Sequence, residues 1–265
     1  MSRRRLDAEL VRRGLAGTRE EAQEAVRAGH VTVRGAPATK STTLVGADEA
    51  LALAGPARPF VSRGGEKLAA ALDAFAIDVT GRDCLDAGAS TGGFTDCLLQ
   101  RGARHVVALD VGYGQLAWEL RGDPRVTVME KTNVRELRPD LLPYRPSLVT
   151  ADLSFISLRL AAGPLILASE PLADLVFLIK PQFEVERAGV GRGGVVRDPA
   201  LWRRAIEDAA DAIEAAGAGS IGLIVSPVKG PAGNVEFLVH VRSSTEPTTL
   251  DIAGVVETAG KLGTS

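Results

Sequence analysis

A glycine-rich turn follows a short apolar run about a third of the way along the chain, and it constrains the fold more than any other feature. The apolar run ends in Asp86, and the turn contains Gly88, Gly92 and Gly93 before a helical pattern begins. Glycines in such a turn predict that a ligand approaches the backbone closely and faces the amides at the helix start. The spacing differs from the dinucleotide fingerprint Gly-x-Gly-x-x-Gly and from the phosphate-binding loop Gly-x-x-x-x-Gly-Lys-Ser/Thr. The turn therefore predicts a nucleotide-type cofactor loop of another kind.

Strand-like and helix-like patterns alternate through the rest of the chain. Apolar runs typical of strands occupy residues 83–86, 105–110, 126–129, 147–151, 173–179, 220–225 and 236–241. Because helical segments separate most of these runs, the alternation predicts a parallel, doubly wound sheet. A short loop, residues 227–233, joins the last two runs into a hairpin, so the final strand should run antiparallel. The predicted fold class is therefore α/β, with a Rossmann-like sheet of seven strands.

The second predicted strand ends in Asp110, where a carboxylate could accept hydrogen bonds from ribose hydroxyls. A glycine-rich turn opened by an acidic residue, followed by such an acid, resembles motif I of the S-adenosylmethionine-dependent methyltransferases. On this resemblance the expected cofactor is S-adenosylmethionine, and the architecture is that of the class I methyltransferases.

The charge of the chain is divided unevenly. Residues 1–45 carry nine Lys or Arg against five Asp or Glu, a balance of +4. Since the whole chain has a formal net charge of −2, the remaining residues sum to −6. A basic module is thus attached to a mildly acidic body, which favours a phosphate-rich partner for the first part.

Two short helices followed by short strands are predicted in this basic module. Asp7 is expected to cap the first helix and Thr18 the second, with Glu21 at the capping-box position. The order over residues 5–52 resembles the small α+β RNA-binding domain first seen in ribosomal protein S-four. The resemblance implies contacts to RNA phosphates from Arg4, Arg5, Arg12, Arg13, Arg19 and Arg27. The alternative is a solvated helical face with ordinary arginines.

A breaker-rich stretch, Gly55–Phe60, marks the boundary between the modules. We expect an RNA-binding domain at residues 1–54, a linker at 55–61 and a methyltransferase domain at 62–265. No apolar run approaches the roughly 18 to 20 residues that span a bilayer, and the N-terminus lacks a secretory apolar core. We therefore expect a cytoplasmic protein without a membrane partner, and a monomer. The three scattered histidines lack metal-ligand spacing, so no metal is expected.

Four charged residues flank the predicted strands. Asp152 and Lys180 follow the fourth and fifth strands, so they should lie beside the glycine-rich turn at the edge where parallel strands end, called here the carboxyl rim. Because the last strand is antiparallel, its start brings Glu236 to the same rim. Lys67, near the start of a helix, could supply a second cation. The alternative is that these residues form ordinary surface ion pairs.

A Lys-Asp-Lys-Glu set has a chemical rationale. A ribose 2′-hydroxyl is a poor nucleophile and must lose its proton as it attacks the methyl group of a sulfonium, so it needs a nearby base or acceptor. A lysine can serve as that base where burial or a second cation lowers its pKa, while carboxylates orient the ammonium groups.

Several motifs together resemble the TlyA, or hemolysin A, family of bacterial ribosomal RNA 2′-O-methyltransferases, which act on cytidines. The motifs are Asp-Ala-Glu-Leu-Val-Arg-Arg-Gly-Leu-Ala, Ser-Arg-Gly-Gly-Glu-Lys-Leu, Leu-Asp-Ala-Gly-Ala-Ser-Thr-Gly-Gly-Phe-Thr, Val-Gly-Tyr-Gly-Gln-Leu, Ala-Asp-Leu-Ser-Phe-Ile-Ser-Leu, Lys-Pro-Gln-Phe-Glu and Gly-Asn-Val-Glu-Phe. The implied partner is ribosomal RNA within the small subunit, the large subunit or both. The basic N-terminal arm resembles the longer subgroup, which modifies both RNAs.

The same resemblance implies roles for individual residues. Lys67, Asp152, Lys180 and Glu236 match the catalytic tetrad of the FtsJ-like 2′-O-methyltransferases, with Lys180 as general base, both carboxylates positioning and Lys67 assisting. The residues expected to line the cofactor pocket are Asp86, Gly88, Ala89, Ser90, Thr91, Gly92, Gly93, Phe94, Asp110, Val111, Asp152 and Phe155.

Two other functions compete with this one. The name hemolysin suggests a membrane-lysing toxin. The sequence argues against this function, because it shows no signal peptide, no membrane-length apolar stretch and no evident lytic helix. A non-catalytic RNA-binding factor that keeps the fold as a scaffold is the second alternative, because fold alone does not settle function. The intact glycine-rich turn together with all four charged residues favours an enzyme.

Overall fold

The computed structural model describes residues 3–53 and 59–263. The chain divides into two compact units, Met1–Ser62 and Arg63–Ser265, and each unit is described by itself. The predicted linker, residues 55–61, falls mostly outside the described residues. Within the described ranges, the helices are all too short or too polar to cross a membrane.

The described part of the smaller unit, residues 3–53 and 59–62, contains two helices and five short strands. They are β1 (Arg4–Arg5), α1 (Leu6–Arg12), α2 (Arg19–Arg27), β2 (Val31–Val33), β3 (Ala36–Pro37), β4 (Leu44–Val45) and β5 (Leu51–Leu53). Strand β2 is the middle of an antiparallel three-stranded sheet with β3 and β5, and β1 pairs with β4. Leu6 and Leu10 of α1 pack with Val26 of α2 and with Val31 and Val45 of the strands to form a small core.

The two helix starts in this unit turn out differently. Helix α2 begins as predicted, since the side chain of Thr18 accepts a hydrogen bond from the amide of Glu21 at 3.1 Å. The prediction that Asp7 caps α1 is wrong, because the helix begins at Leu6 and Asp7 lies buried in its first turn. Strand β1 runs directly into the helix. The first two helix amides, those of Leu6 and Asp7, donate to the backbone carbonyls of Thr43 and Ser41 rather than to a capping side chain.

The larger unit alternates strands and helices, with a few short 3-10 turns. The elements are α3 (Gly64–Ala74), β6 (Asp83–Ala87), α4 (Gly93–Gln100), β7 (His105–Leu109), α5 (Trp118–Arg121), β8 (Val126–Met129), β9 (Leu148–Ala151), α6 (Leu158–Ala168), β10 (Asp174–Ile179), α7 (Pro181–Glu184), α8 (Pro199–Ala215), β11 (Ala218–Val225), β12 (Phe237–Ser243) and α9 (Ile252–Gly263). Each strand lies within two residues of its predicted bounds.

Seven strands form one sheet in the order β11-β12-β10-β9-β6-β7-β8. The neighbours from β10 to β8 pair in parallel, whereas β12 is antiparallel to both β10 and β11. The predicted α/β sheet with an antiparallel last strand is therefore confirmed. The strand order reverses between β6 and β9, which is where open sheets of this kind bind ligands.

The core lies on both faces of this sheet. Strands β9 and β10 are buried along their whole length because helices cover both of their sides. On one face, Trp202 of α8 packs edge-on against Phe237 of β12, and its ring N–H donates to the carbonyl of Val196 at 2.9 Å. The rigid sheet fixes where each strand ends, and so it fixes the carboxyl rim.

Candidate functional site

An ion pair joins the ends of two neighbouring strands at the carboxyl rim. Asp152 is the first residue after β9 and Lys180 the first after β10, and the two strands pair in parallel. The Nζ of Lys180 lies 2.5 Å from Oδ1 of Asp152 and donates a hydrogen bond to Oγ of Ser154 at 2.9 Å. The ammonium group is thus held by a carboxylate and a hydroxyl from the same loop.

A second, deeper ion pair lies at the same rim. Lys67 extends from the first turns of α3, and Glu236 immediately precedes β12. Their Nζ and Oε2 atoms are 2.6 Å apart, and the side chains are only 8% and 1% exposed. Burial raises the pKa of Asp152, but the charges of Lys180 and Lys67 outweigh it and hold that pKa below its ordinary value. The structure therefore brings the four predicted catalytic residues together, with Asp152 as a carboxylate.

Asp86 lies beneath the site rather than in it. Its fully buried carboxylate accepts hydrogen bonds from the hydroxyls of Thr95 at 2.7 Å and Thr150 at 3.3 Å. Burial, together with the nearby charge of Asp152, raises the pKa of Asp86 to about 7 in spite of these hydrogen bonds. Asp86 joins α4 to β9 and so supports the turn above it.

The glycines of the turn are required by the protein's own packing. At Gly88, where φ is +83°, a Cβ atom would lie 2.5 Å from the carbonyl oxygen of Asp152. At Gly92, where φ is +100°, a Cβ atom would overlap the side chains of Leu116 and Leu120. At these two glycines, atoms of the protein itself therefore leave no room for a side chain. The absence of a side chain at Gly88 lets the turn lie directly against Asp152.

Asp110 is oriented by the turn and by the loop that follows β7. Its Oδ2 accepts from the amide of Ser90 at 2.8 Å, and its Oδ1 accepts from the amide of Gly112 at 2.6 Å. Because a carboxylate oxygen can accept more than one hydrogen bond, both oxygens keep capacity for the hydroxyls of a ligand.

A cleft of about 670 Å³ opens along this part of the carboxyl rim. Six of the predicted cofactor residues line it: Gly88, Ser90, Asp110, Val111, Asp152 and Phe155. The other six are buried outside the lining: Asp86, Ala89, Thr91, Gly92, Gly93 and Phe94. The cleft walls also include residues that the sequence analysis missed, among them Gln115, Leu153, Ser154 and the segment 132–135.

One signal could have found part of the missed wall. Thr132 and Asn133 follow β8, the third strand, so the rule that placed Asp110 at the carboxyl rim applies to them as well. Asn133 also orders its own loop, since its side chain accepts from the amide of Arg135 at 3.1 Å.

The cleft has the chemistry to hold S-adenosylmethionine. The fixed carboxylate of Asp110 suits a ribose, and the apolar side chains of Leu109, Val134 and Ile156 suit a flat ring. Asp152 lines the cleft and also holds Lys180, so a bound cofactor would lie beside the ion pairs. Among the described residues, no group of three or more His, Cys, Asp or Glu could hold a metal ion.

Phe155 is exposed at the mouth of the cleft. Its side chain is 92% exposed, and its backbone has a φ of +62°, which costs a non-glycine residue about 1 to 3 kcal/mol. Its ring lies 5.2 Å from that of Phe183, which in turn lies 5.9 Å from the Nζ of Lys180. The strained loop therefore holds an aromatic face beside the reactive groups.

In the smaller unit, four of the six predicted RNA-binding arginines pair with buried acids. Arg5 and Arg19 lie 2.6 and 3.4 Å from Asp7, and Arg12 and Arg13 lie 2.6 and 2.8 Å from Glu9. Hydrogen bonds from the arginines hold the pKa of each carboxyl well below its usual range despite burial. Within the part of this unit that the structure describes, the remaining two, Arg4 and Arg27, are exposed and make no ion pair.

Arg13 differs from the others, because its guanidinium braces the fold. Besides its bond to Glu9, it donates to the backbone carbonyls of Gly46, Ala47 and Glu49 at 2.7 to 3.0 Å. Four of its five N–H donors are used in this way. Arg13 has little capacity left for RNA.

Comparison with known proteins gives two family matches. Residues 60–243 match the FtsJ-like methyltransferase family, and residues 4–50 match the S4 domain. The 16S/23S rRNA (cytidine-2′-O)-methyltransferase TlyA of Mycobacterium tuberculosis is 54% identical over 93% of this chain and 92% of its own length.

Two further relatives extend the comparison. The protein of Brachyspira hyodysenteriae named Hemolysin A is 39% identical over 89% of this chain and 98% of its own length. A solved structure from Streptococcus thermophilus, 39% identical, superimposes with a TM-score of 0.81 over 98% of this chain and 97% of that chain. The similarity therefore spans both units.

Proposed function

This chain belongs to the TlyA family of FtsJ-like methyltransferases, and we propose that it transfers a methyl group from S-adenosylmethionine to the 2′-oxygen of cytidines in ribosomal RNA. The relative from Mycobacterium tuberculosis carries this activity in its name. The observation that carries the proposal is the pair of ion pairs, Lys180–Asp152 and Lys67–Glu236, at the edge of a nucleotide-sized cleft.

S-adenosylmethionine, when bound, supplies an electrophilic methyl group on a sulfonium. Asp110 would hold the ribose of the cofactor, and the wall formed by Leu109, Val134 and Ile156 would surround its ring. Ser90 orients Asp110 through its amide and lines the same cleft. These residues would bind the cofactor and orient it in the cleft.

Lys180 is the proposed proton acceptor. The 2′-hydroxyl of the target ribose would donate its proton to Nζ of Lys180 as its oxygen is alkylated. Asp152 and Ser154 hold that nitrogen from one side, so its position does not depend on the substrate. Glu236 fixes the second ammonium, that of Lys67, whose charge adds to that of Lys180 in holding the pKa of Asp152 below its ordinary value.

The S4 domain would supply most of the affinity for RNA. Apart from Arg13, its arginines can contact phosphates, which predicts binding that weakens as salt rises. We include in the proposal that both small and large subunits are substrates, as the name of the mycobacterial relative indicates for that protein, and that the enzyme acts as a monomer.

The test is transfer of labelled methyl groups from S-adenosylmethionine to purified small and large ribosomal subunits that lack the modification. We expect label in cytidine ribose, with the adjacent phosphodiester resistant to alkali. Subunits first treated with the wild-type protein and unlabelled cofactor serve as the control and should take up no label. No transfer to either subunit, with cofactor binding intact, would instead favour the non-catalytic RNA-binding factor.

A further inference from the structure

Two arginines that sequence patterns do not single out meet on one buried carboxylate in the smaller unit. The Nη2 of Arg3 lies 3.1 Å from Oε1 of Glu49, and the Nη2 of Arg34 lies 2.9 Å from the same oxygen. The two nitrogens are therefore no more than 6.0 Å apart. The Glu49 side chain is 7% exposed, whereas the arginine side chains are 59% and 69% exposed. The acid is covered and the two guanidinium groups face solvent.

The position of Glu49 is fixed from below. Arg13 donates to the carbonyl oxygens of Gly46, Ala47 and Glu49, which holds the loop that carries the acid. Arg13 is itself anchored to Glu9 of α1 at 2.8 Å. The site is thus built on helix α1, and the orientation of the two exposed arginines follows from it.

Arg34 occupies a strained turn. Strands β2 and β3 are joined by a two-residue loop, Arg34 and Gly35, with φ values of +52° and +81°. Hairpin loops of this kind favour Asn or Asp at the first position, because a left-handed conformation is costly for other residues. The turn therefore keeps a long basic side chain where a smaller residue would fold more easily.

We propose that Arg3 and Arg34, held together by Glu49, form a binding site for one phosphodiester group of ribosomal RNA, an inference that rests on the proposed function. The spacing allows one phosphate to accept from both guanidiniums, each of which has donors left over. Two arginines and one carboxylate carry a net charge of +1, so a single phosphodiester neutralises the site. The carboxylate keeps the two cations together before RNA arrives.

The experiment measures binding of the full-length protein to unmodified ribosomal subunits over a range of salt concentrations. We expect Arg3→Gln and Arg34→Gln each to weaken binding about tenfold. Each should also lower the slope of log affinity against log salt by about 0.7 to 0.9, the loss of one phosphate contact. Because both residues share one phosphate, the double variant should weaken binding by clearly less than the product of the two single effects.

Arg104→Gln is the matched control. Arg104 is 68% exposed and pairs with Asp83, but it lies at the amino ends of β6 and β7, opposite the carboxyl rim. The Arg104→Gln substitution removes the same charge and the same kind of ion pair, and we expect it to change binding to the subunits less than twofold.

Three results would overturn the phosphate site. The Arg3 and Arg34 variants could behave like Arg104→Gln, which would mean that they contact no RNA. Effects that multiply in the double variant would assign the two arginines to separate contacts. Effects that vanish on protein-free ribosomal RNA would point to an acidic surface of a ribosomal protein.

The methyl-transfer rate separates this inference from the proposed function. At saturating subunit concentration the Arg3 and Arg34 variants should methylate at the wild-type rate, since neither residue belongs to the catalytic site. If the wild-type protein binds subunits but transfers no methyl group, the proposed function fails while the phosphate site remains testable by binding.

Discussion

Replacing Glu236 with Gln should destabilise the larger unit and abolish methyl transfer. The pair with Lys67 is 2.6 Å long and almost fully buried, so the variant leaves an ammonium group in the interior without its counter-charge. Removing one partner of such a pair costs about 3 to 5 kcal/mol. In a unit of about 200 residues, each kcal/mol lowers the melting temperature by about 2 to 4 °C, which predicts a loss of about 6 to 20 °C.

Thermal unfolding followed by circular dichroism measures this loss, and two further variants interpret it. The double variant Lys67→Met, Glu236→Leu removes both charges, so it should recover most of the stability while remaining inactive. Glu257→Gln makes the same substitution in an exposed pair with Lys261 and should cost no more than about 0.5 kcal/mol. The reasoning would be refuted if the double variant lost as much stability as Lys67→Met and Glu236→Leu lose when their separate losses are added. The two charges would then contribute independently.

Three other variants test separate parts of the site. Gly88→Ala places a Cβ 2.5 Å from the carbonyl oxygen of Asp152 in a left-handed conformation that costs about 1 to 2 kcal/mol. It should lower the methyl-transfer rate without weakening RNA binding, and an unchanged rate would contradict the packing role. Ser154→Ala removes a hydroxyl that accepts from Lys180, and loss of a hydrogen bond to a charged group predicts a kcat about 10- to 100-fold lower. Its cofactor Kd should stay within about threefold, and a change in Kd alone would count against a positioning role. In Asp174, burial raises the pKa, but hydrogen bonds from a histidine and two arginines outweigh it, so the pKa lies well below its usual range. Its contribution to stability is therefore complete above about pH 4 and is lost as the pH falls further. In urea unfolding, the free energy of unfolding of Asp174→Asn should lie below that of wild type at pH 7, and by a smaller amount at pH 3. An equal difference at the two pH values would contradict this reasoning.

The sheet could be predicted from the sequence because its signals are local. Each strand is a short apolar run between helical segments, and parallel strands that are buried on both sides read as continuous apolar sequence. The antiparallel last strand followed from the length of one loop, residues 227–233. The positions of Asp152 and Lys180 followed in turn, because each is the first residue beyond a parallel strand.

The contacts that cross the fold could not be predicted in this way. Arg3 and Glu49 are 46 residues apart, and their meeting depends on how β1, α1 and the loop before β5 pack. The packing reason for Gly88 likewise needs the position of Asp152, which belongs to another strand. At Asp7, a local signal was misleading. The residue is of a type that often caps helices, but backbone carbonyls of residues 41 and 43 accept from the first helix amides in its place.

The role of Lys180 as proton acceptor is tested most directly by Lys180→Ala in single-turnover methyl transfer, with S-adenosylmethionine binding measured on the same preparation. We predict that the rate falls at least about a hundredfold, the scale of general base catalysis, while the Kd for the cofactor changes less than about threefold. A variant that binds the cofactor and transfers methyl groups at the wild-type rate would contradict the proposed mechanism.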